Sequence, residues 1–302
     1  MENNLSDKNE NKDRKGRGVS HSKIILMGEH SVVYGYPAIA IPLKNIRMEC
    51  IVERATVPFI HNKKDTLSTA IYTALNYLNR KSENIKYKVI SDIPPKRGMG
   101  SSAAVSIAAI RGVLDYFNTE VDNLTLEKLV NEAEIIAHNT PSGLDAKTCL
   151  SDSAIKFIKN KGFKNLEMNL GAYLLIADTG IHGHTRDAIM NIKNMGGRAL
   201  PMLEKLGKLT EETEKFIEEK DVINIGKNMI SAHGELKKLG VSIEKSDVLV
   251  KTAIDEGAYG AKMSGGGLGG CIIALMESKE KAEMTGKKLM EKGAVNIWIE
   301  AL

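Results

Sequence analysis

The segment Pro94-Pro95-Lys96-Arg97-Gly98-Met99-Gly100-Ser101-Ser102-Ala103-Ala104 constrains this chain more than any other stretch. It closes a strand-like run, Tyr87 to Ile90, with two prolines and a sharp turn. It then opens an apolar-periodic stretch that predicts a helix to about Phe117. Glycine lets a backbone approach an anion closely, and the first N–H groups of a helix attract negative charge. Two serines at the helix start add hydroxyls that can reach a phosphate or a metal ion. The segment reads as a phosphate-binding loop, against the plainer reading of a tight turn before a helix. It is not a Walker A loop, because no Gly-Lys-Ser or Gly-Lys-Thr closes it. Nor is it a dinucleotide fingerprint, because the glycine spacing differs and no acidic residue follows at the ribose distance.

A chain of 302 residues can bury a sizeable core and is long enough for two domains or one large one. The net charge of +4 is small for this length, and no Lys/Arg stripe interleaves with aromatics, so nucleic-acid binding has little support. Cys50, Cys149 and Cys271 are widely spaced, with no CxxC pair, which argues against a disulfide framework or a zinc site. There is no signal-peptide core at the N-terminus and no run of transmembrane length, so a cytoplasmic protein without a membrane partner is expected.

Residues 1–20 are nearly all polar, with Gly16 and Gly18 and no periodicity, and predict a disordered tail. Arg14, Lys15 and Arg17 form a short basic cluster within it. Order is expected from Lys23-Ile24-Ile25-Leu26-Met27, a buried strand, with an apolar run through Ile41 and a strand over Ile46 to Val52. Helical spacing begins at Asp65 or Thr66 as N-cap, with Leu67, Ala70, Ile71, Ala74, Leu75 and Leu78 on one face. A later helix places Leu126, Leu129, Val130, Ala133 and Ala137 inward. A second unit is expected near Glu167, with a strand over Ala172 to Ala177 and long amphipathic helices over about 184–238. Its end reads strand, glycine loop, strand, helix, strand. Amphipathic helices bury a face equally well in a core or against a second copy, so a homodimer stays open. The mixture without a regular β-α-β repeat predicts an α+β fold.

A second glycine loop, Ser264-Gly265-Gly266-Gly267-Leu268-Gly269-Gly270, lies between two strands and holds far more glycine than a hairpin turn requires. Such a loop suits a phosphate or substrate approaching backbone N–H groups; its plain alternative is a flexible hairpin. Lys262, just before it, has an ordinary solvent-facing role as its plain alternative. The turn Thr140-Pro141-Ser142-Gly143-Leu144-Asp145 presents Asp145 on irregular backbone, after a helix carrying Glu132 and Glu134. Glu134 falls at the border of that helix's apolar stripe, poised toward a cleft. Glu134 and Asp145 together, beside two phosphate-type loops, suit magnesium and a substrate hydroxyl. Lys23, Glu29 and His30 frame an otherwise apolar strand with polar groups.

Lys23 through Gly35 (with Gly28-Glu29-His30-Ser31-Val32-Val33-Tyr34-Gly35), the Gly98–Ala104 loop, Pro141–Asp145, and Lys262 through Cys271 are similar to the ordered motifs of a small-molecule kinase superfamily. That superfamily includes galactokinase, homoserine kinase, mevalonate kinase and phosphomevalonate kinase. The Gly-Glu-His form resembles the mevalonate kinases, and among them those of Gram-positive cocci; the resemblance spans residues 21–302. It implies a two-domain fold, an N-terminal α+β ATP-binding domain (21–167) and a C-terminal ferredoxin-like domain (168–302), with the active site between them. It implies ATP-dependent phosphorylation of mevalonate to 5-phosphomevalonate, with magnesium, in isoprenoid precursor synthesis. Asp145 matches the residue that accepts or orients the hydroxyl proton, and Lys23 the lysine paired with it. Gly98, Met99, Gly100, Ser101, Ser102 and Ala103 match the loop on the ATP phosphates, and Ser102 and Glu134 match magnesium ligands. Glu29, His30, Asp145, Gly265, Gly266 and Thr185 match substrate contacts. Three departures stand out: His21-Ser22 before Lys23, Ala146 after Asp145, and Leu268 inside the last glycine run. Phosphomevalonate kinase, another kinase of the superfamily and a non-catalytic metabolite sensor derived from one are the alternatives.

Overall fold

Strand β1 (Lys15–Met27) starts well before the apolar run at Lys23 that announces it. Its first half alternates exposed and buried positions, and the inward ones are Gly16, Gly18 and Ser20. The computed structural model describes residues 14–138 and 143–302, with Ala137 and His138 described by backbone alone. Gly16 and Gly18 lie against Ala108, Gly112 and Tyr116 so closely that a Cβ at either would collide with that helix. The disordered tail expected over residues 1–20 therefore does not extend through Lys15–Ser20; residues 1–13 lie outside the described residues. The strand hides its period because its inward residues are small rather than apolar. The basic cluster is engaged as well. Arg14 donates through Nε to the Tyr116 carbonyl at 2.7 Å, Lys15 pairs with Glu53 at 2.7 Å, and Arg17 pairs with Glu49.

The chain forms two compact units that alternate along the sequence. One comprises residues through Ser22, Lys44–Ile93 and Gly100–Leu150; the other comprises Lys23–Leu43, Pro94–Met99 and Ser151–Leu302. A single division near residue 167 does not describe them, because β1, β2 (Ala38–Arg54) and the loop before the second helix each pass from one unit to the other.

In the first unit the C-terminal half of β2 pairs antiparallel with β3 (Ile85–Ser91), from Met48 opposite Ser91 to Arg54 opposite Ile85. Helix α1 (Thr66–Tyr77) is capped by Asp65, whose carboxylate accepts from the Ser68 N–H at 3.0 Å, as its sequence predicts. Helices α2 (Ser101–Tyr116) and α3 (Asn123–His138) follow, then a short α4 (Leu144–Leu150). The expected stripes are largely buried: Ala70, Ile71, Ala74 and Leu75 from α1, where Leu67 and Leu78 are half-buried, and Leu126, Leu129, Val130 and Ala133 from α3. Each Leu or Ile so buried contributes about 1.5–3 kcal/mol.

In the second unit Ala38–Ala40 pair with β4 (Ala154–Ile158), which pairs with β5 (Gly162–Leu166). Then come β6 (Tyr173–Asp178), α5 (Thr185–Met195), α6 (Leu200–Glu218), α7 (Val222–Lys238) and α8 (Glu244–Asp255). Strands β7 (Gly260–Ser264) and β8 (Cys271–Met276), helix α9 (Lys279–Glu291) and strand β9 (Asn296–Ala301) end the chain. The four strands form an antiparallel sheet in the order β7-β8-β6-β9. With helices between β6 and β7 and between β8 and β9, this is the expected ferredoxin-like arrangement. Asp221 divides the long helical region by accepting the Asn224 N–H at 3.0 Å as the cap of α7. Among the described residues no helix is long and apolar enough to cross a membrane.

Candidate active site

The end of β1 in the second unit carries a buried polar cluster. Lys23 is 2% exposed, and its Nζ donates to the Gly98 carbonyl at 3.3 Å while its backbone N–H donates to Met99 at 3.2 Å. Glu29, at 1%, forms an ion pair with Lys262, at 0%. Lys262 Nζ also donates to the Met263 carbonyl at 2.8 Å. Burial pushes the Glu29 carboxyl up; Lys262, and more weakly Lys23, oppose it. Burial likewise pushes the Lys262 ammonium down, against the pull of Glu29. The two groups are thus a matched pair, and removing either would strand the other in an apolar strand environment. His30 stands at φ 61°, and burial lowers its pKa to about 4 despite a hydrogen bond to the Gly266 backbone, so it is neutral near pH 7. Glu29 Oε2 and His30 Nε2 are buried without a hydrogen-bond partner among the described residues.

The two glycine loops touch here. A Cβ on Gly265 would stand 2.8 Å from the Gly98 Cα, and one on Gly98 would stand 3.1 Å from the Ser264 carbonyl oxygen. The rest of the second loop is packed in the same way. Gly266 lies under Thr185, Gly267 against Val241, Gly269 against the His182 carbonyl, and Gly270 against the Arg97 carbonyl. Its many glycines therefore have an intramolecular cause, and the flexible-hairpin alternative does not hold. Ser264 Oγ fixes the loop's start to β1, donating to the Ile25 carbonyl at 2.8 Å.

The first unit holds the other expected groups. Gly100, at φ 71°, is the residue before α2 and provides no side-chain cap, so the helix N-terminus presents backbone N–H groups at Ser101, Ser102 and Ala103. Met99, fully buried, contributes backbone only, and Ala103 is fully buried too. Ser102 Oγ donates to Glu134 Oε1 at 2.9 Å, and Ser106 Oγ to the same oxygen at 3.1 Å. Glu134 points inward, at 6% exposure, as the stripe border suggests. A serine hydroxyl and a carboxylate in contact are hard oxygen donors that fit magnesium, which keeps few protein ligands and takes the rest from phosphate and water. Among the described residues no cluster of three or more His, Cys, Asp or Glu side chains could hold a metal ion. Asp145 is half-buried in the first turn of α4 rather than on irregular backbone. Gly143 at φ 84° makes the bend, and the buried Leu144, Ala146, Thr148 and Cys149 hold the short helix in place. Thr140, Pro141 and Ser142 lie outside the described residues.

The structure thus gathers Lys23, Glu29, His30, Gly98, Gly265, Gly266 and Thr185 in one unit, and Ser102 and Glu134 in the other, where Asp145 also lies. Lys262 is the residue the sequence misread. A lysine in a strand whose five positions are all buried has no route to water, and that burial is visible only once the strand is placed in its sheet. Arg97 was also passed over. Its guanidinium pairs with Asp178 at 2.7 Å, beside the first glycine loop.

Such a fold, with a glycine loop leading into a helix and a Ser–Glu oxygen pair, defines a small-molecule kinase. Models of the GHMP kinases match the chain, the N-terminal domain over residues 69–152 and the C-terminal domain over residues 213–293. The mevalonate kinase of Pyrococcus furiosus is 31% identical, over 89% of this chain and 91% of that protein. A crystal structure of mevalonate kinase from methicillin-resistant Staphylococcus aureus MRSA252 superposes with a TM-score of 0.77 at 29% identity, covering 96% of this chain and 99% of that one. A structure of L. major mevalonate kinase in complex with R-mevalonate shares the fold, with a TM-score of 0.84 at 24% identity, covering 94% of both chains. The chain belongs to the mevalonate kinase family of the GHMP kinases. The archaeal relative and the staphylococcal one stand at similar identity, so a kinship particular to Gram-positive cocci has no support beyond that one structure.

Proposed function

We propose that the protein phosphorylates the primary hydroxyl of mevalonate with ATP, giving 5-phosphomevalonate and ADP, in the cytoplasm as a step of isoprenoid precursor synthesis. The observation that supports this reading is the buried polar cluster at the end of β1. Two buried atoms, Glu29 Oε2 and His30 Nε2, have no hydrogen-bond partner among the described residues. Buried polar atoms are costly to leave unpaired, so these two atoms favour a ligand that can supply hydrogen-bonding groups such as hydroxyls. Mevalonate, a dihydroxy acid, is such a ligand.

The transferring phosphoryl group passes through a loose transition state, so the protein's task is alignment and charge stabilisation. In this reading the Gly98–Ala103 segment cradles the ATP phosphates with backbone N–H groups. Ser102 and Glu134 would hold magnesium, which would supply neutralisation of phosphate charge. Lys23 stabilises negative charge on the phosphoryl oxygens. Asp145 orients the attacking hydroxyl and takes its proton late. Glu29, His30 and Thr185 position the rest of the alcohol.

The test is an ADP-release assay with ATP and magnesium, offering mevalonate, phosphomevalonate and galactose in parallel. Turnover is expected on mevalonate, and Asp145→Asn should lower it by about a hundredfold or more. Near-normal turnover in that variant would remove Asp145 from the mechanism. Turnover on phosphomevalonate or galactose alone would retain the chemistry and discard the substrate. ATP binding without turnover on any of them would move the protein to the sensor class.

A further inference from the structure

Arg97 is outside every group assigned above, yet all three nitrogens of its guanidinium have partners. Nε donates to Asp178, 2.7 Å from Oδ1 and 2.9 Å from Oδ2. Nη1 lies 2.9 Å from His182 Nδ1, and Nη2 donates to the Gly180 carbonyl at 3.1 Å. Both side chains of the ion pair are shielded, at 12% and 4% exposure. Asp178 is the last residue of the central strand β6, and its Oδ1 also accepts the Gly180 N–H at 2.8 Å. The carboxylate is thus a fixed anchor on a rigid element.

The bend it anchors is conformationally demanding. Lys96 stands at φ 57°, in the left-handed region, and Gly98 follows at φ 77°. Lys96 gives its carbonyl to the Gly183 N–H at 2.8 Å, and Gly98 gives its carbonyl to Lys23 Nζ at 3.3 Å. Such a bend persists only where its surroundings over-determine it. Three of the five guanidinium N–H groups are committed to these partners, so the side chain is held in place and its effect on a ligand passes through the backbone it holds.

We propose that Arg97 and Asp178 form a clasp that holds the Lys96–Gly98 bend in the shape the nucleotide phosphates need. Both are positioning residues, and they set nucleotide affinity rather than recognition of the alcohol. This rests on the reading of the Gly98 loop as the phosphate cradle.

The test compares Arg97→Ala, Arg97→Lys, Asp178→Asn and the Ala/Asn double variant of the full chain. Steady-state kinetics give KM for ATP and for mevalonate. Isothermal titration with a non-hydrolysable ATP analogue gives a Kd that needs no alcohol, and thermal unfolding reports stability. The KM for ATP and the analogue Kd should both rise about tenfold, with the mevalonate KM little changed. The double variant should be no worse than the worse single one, because the two residues act as a unit. Arg97→Lys should recover part of the affinity, since it keeps the ion pair and loses the two outer hydrogen bonds. A lower melting temperature with unchanged ATP KM and analogue Kd would reduce the clasp to a structural contact. Additive effects in the double variant would likewise overturn it. If Arg97→Ala does not fold, Asp178→Asn decides, because it keeps an oxygen for the Gly180 N–H. Analogue binding by the wild type without mevalonate turnover would sink the proposed function, and the ratio of analogue Kd values would then judge the clasp alone.

Discussion

In the loop before α2, glycine serves a helix start. Gly98 and Gly100 turn the chain at positive φ, and behind them come serines, one bonded to Glu134. In the loop between β7 and β8, glycine serves close packing. Gly265, Gly266, Gly267, Gly269 and Gly270 each lie where a Cβ would crowd a neighbour of the protein itself. Composition alone makes the two loops look alike. The difference teaches that a glycine-rich loop reports close approach without saying what approaches, and that the residues behind the glycines decide. Hydroxyls and a buried carboxylate follow the first loop. A buried ion pair and a neutral histidine accompany the second.

If the second loop is a structural hub, the largest effects there fall on stability. Lys262→Met should cost about 3–5 kcal/mol in chemical denaturation, because it leaves the Glu29 carboxylate buried without its partner. Adding Glu29→Gln should return much of that loss. A Lys262→Met protein as stable as the wild type would show that Glu29 does not depend on this ion pair, and would break the contrast.

His30 should make the same region sensitive to acid. Its pKa of about 4 in the fold lies below the ordinary value of 6.5, so the unfolded chain binds the proton more readily. The associated stability is complete above pH 6.5 and is lost as pH falls toward 4, a change of about 3 kcal/mol. His30→Asn, which tolerates the left-handed backbone, should flatten melting temperature against pH in that window. An unaltered pH profile would assign the acid sensitivity elsewhere.

Gly269→Ala should cost about 2 kcal/mol, since Gly269 adopts φ 131° and faces the His182 carbonyl. Denaturation midpoints check it. A neutral result would mean that the 178–184 turn yields easily, and would weaken the picture of a packed hub.

Much of this was legible before any coordinates. The Asp65 cap, the α3 stripe, the β-β-α-β ending and the Glu134 position follow from periodicity and capping, which are local. What failed was set by tertiary contact. Gly16 and Gly18 look like linker residues until α2 is placed against them. Lys262 looks solvent-facing until its strand is known to be buried throughout. Arg97 acquires its role only from Asp178, distant in sequence. Helix α4 was hidden because its seven residues make fewer than two turns, too short a stretch for an apolar period to stand out, so Asp145 read as a loop residue.

The smallest effect on stability is expected at the first loop, and there function should suffer most. Ser102→Ala deletes one hydrogen bond to Glu134 Oε1, while Ser106 still donates to that oxygen at 3.1 Å. The carboxylate keeps a partner, so the loss of stability should be about 1 kcal/mol or less. On the proposed reading, in which the Ser102 hydroxyl would be a magnesium ligand beside Glu134, turnover should nevertheless fall about tenfold at fixed magnesium and recover partly as magnesium is raised. Activity titrated against magnesium, with melting temperature measured on the same samples, separates the two effects. A large drop in melting temperature with an unshifted magnesium midpoint would make Ser102 a packing residue. The two loops would then differ only in degree.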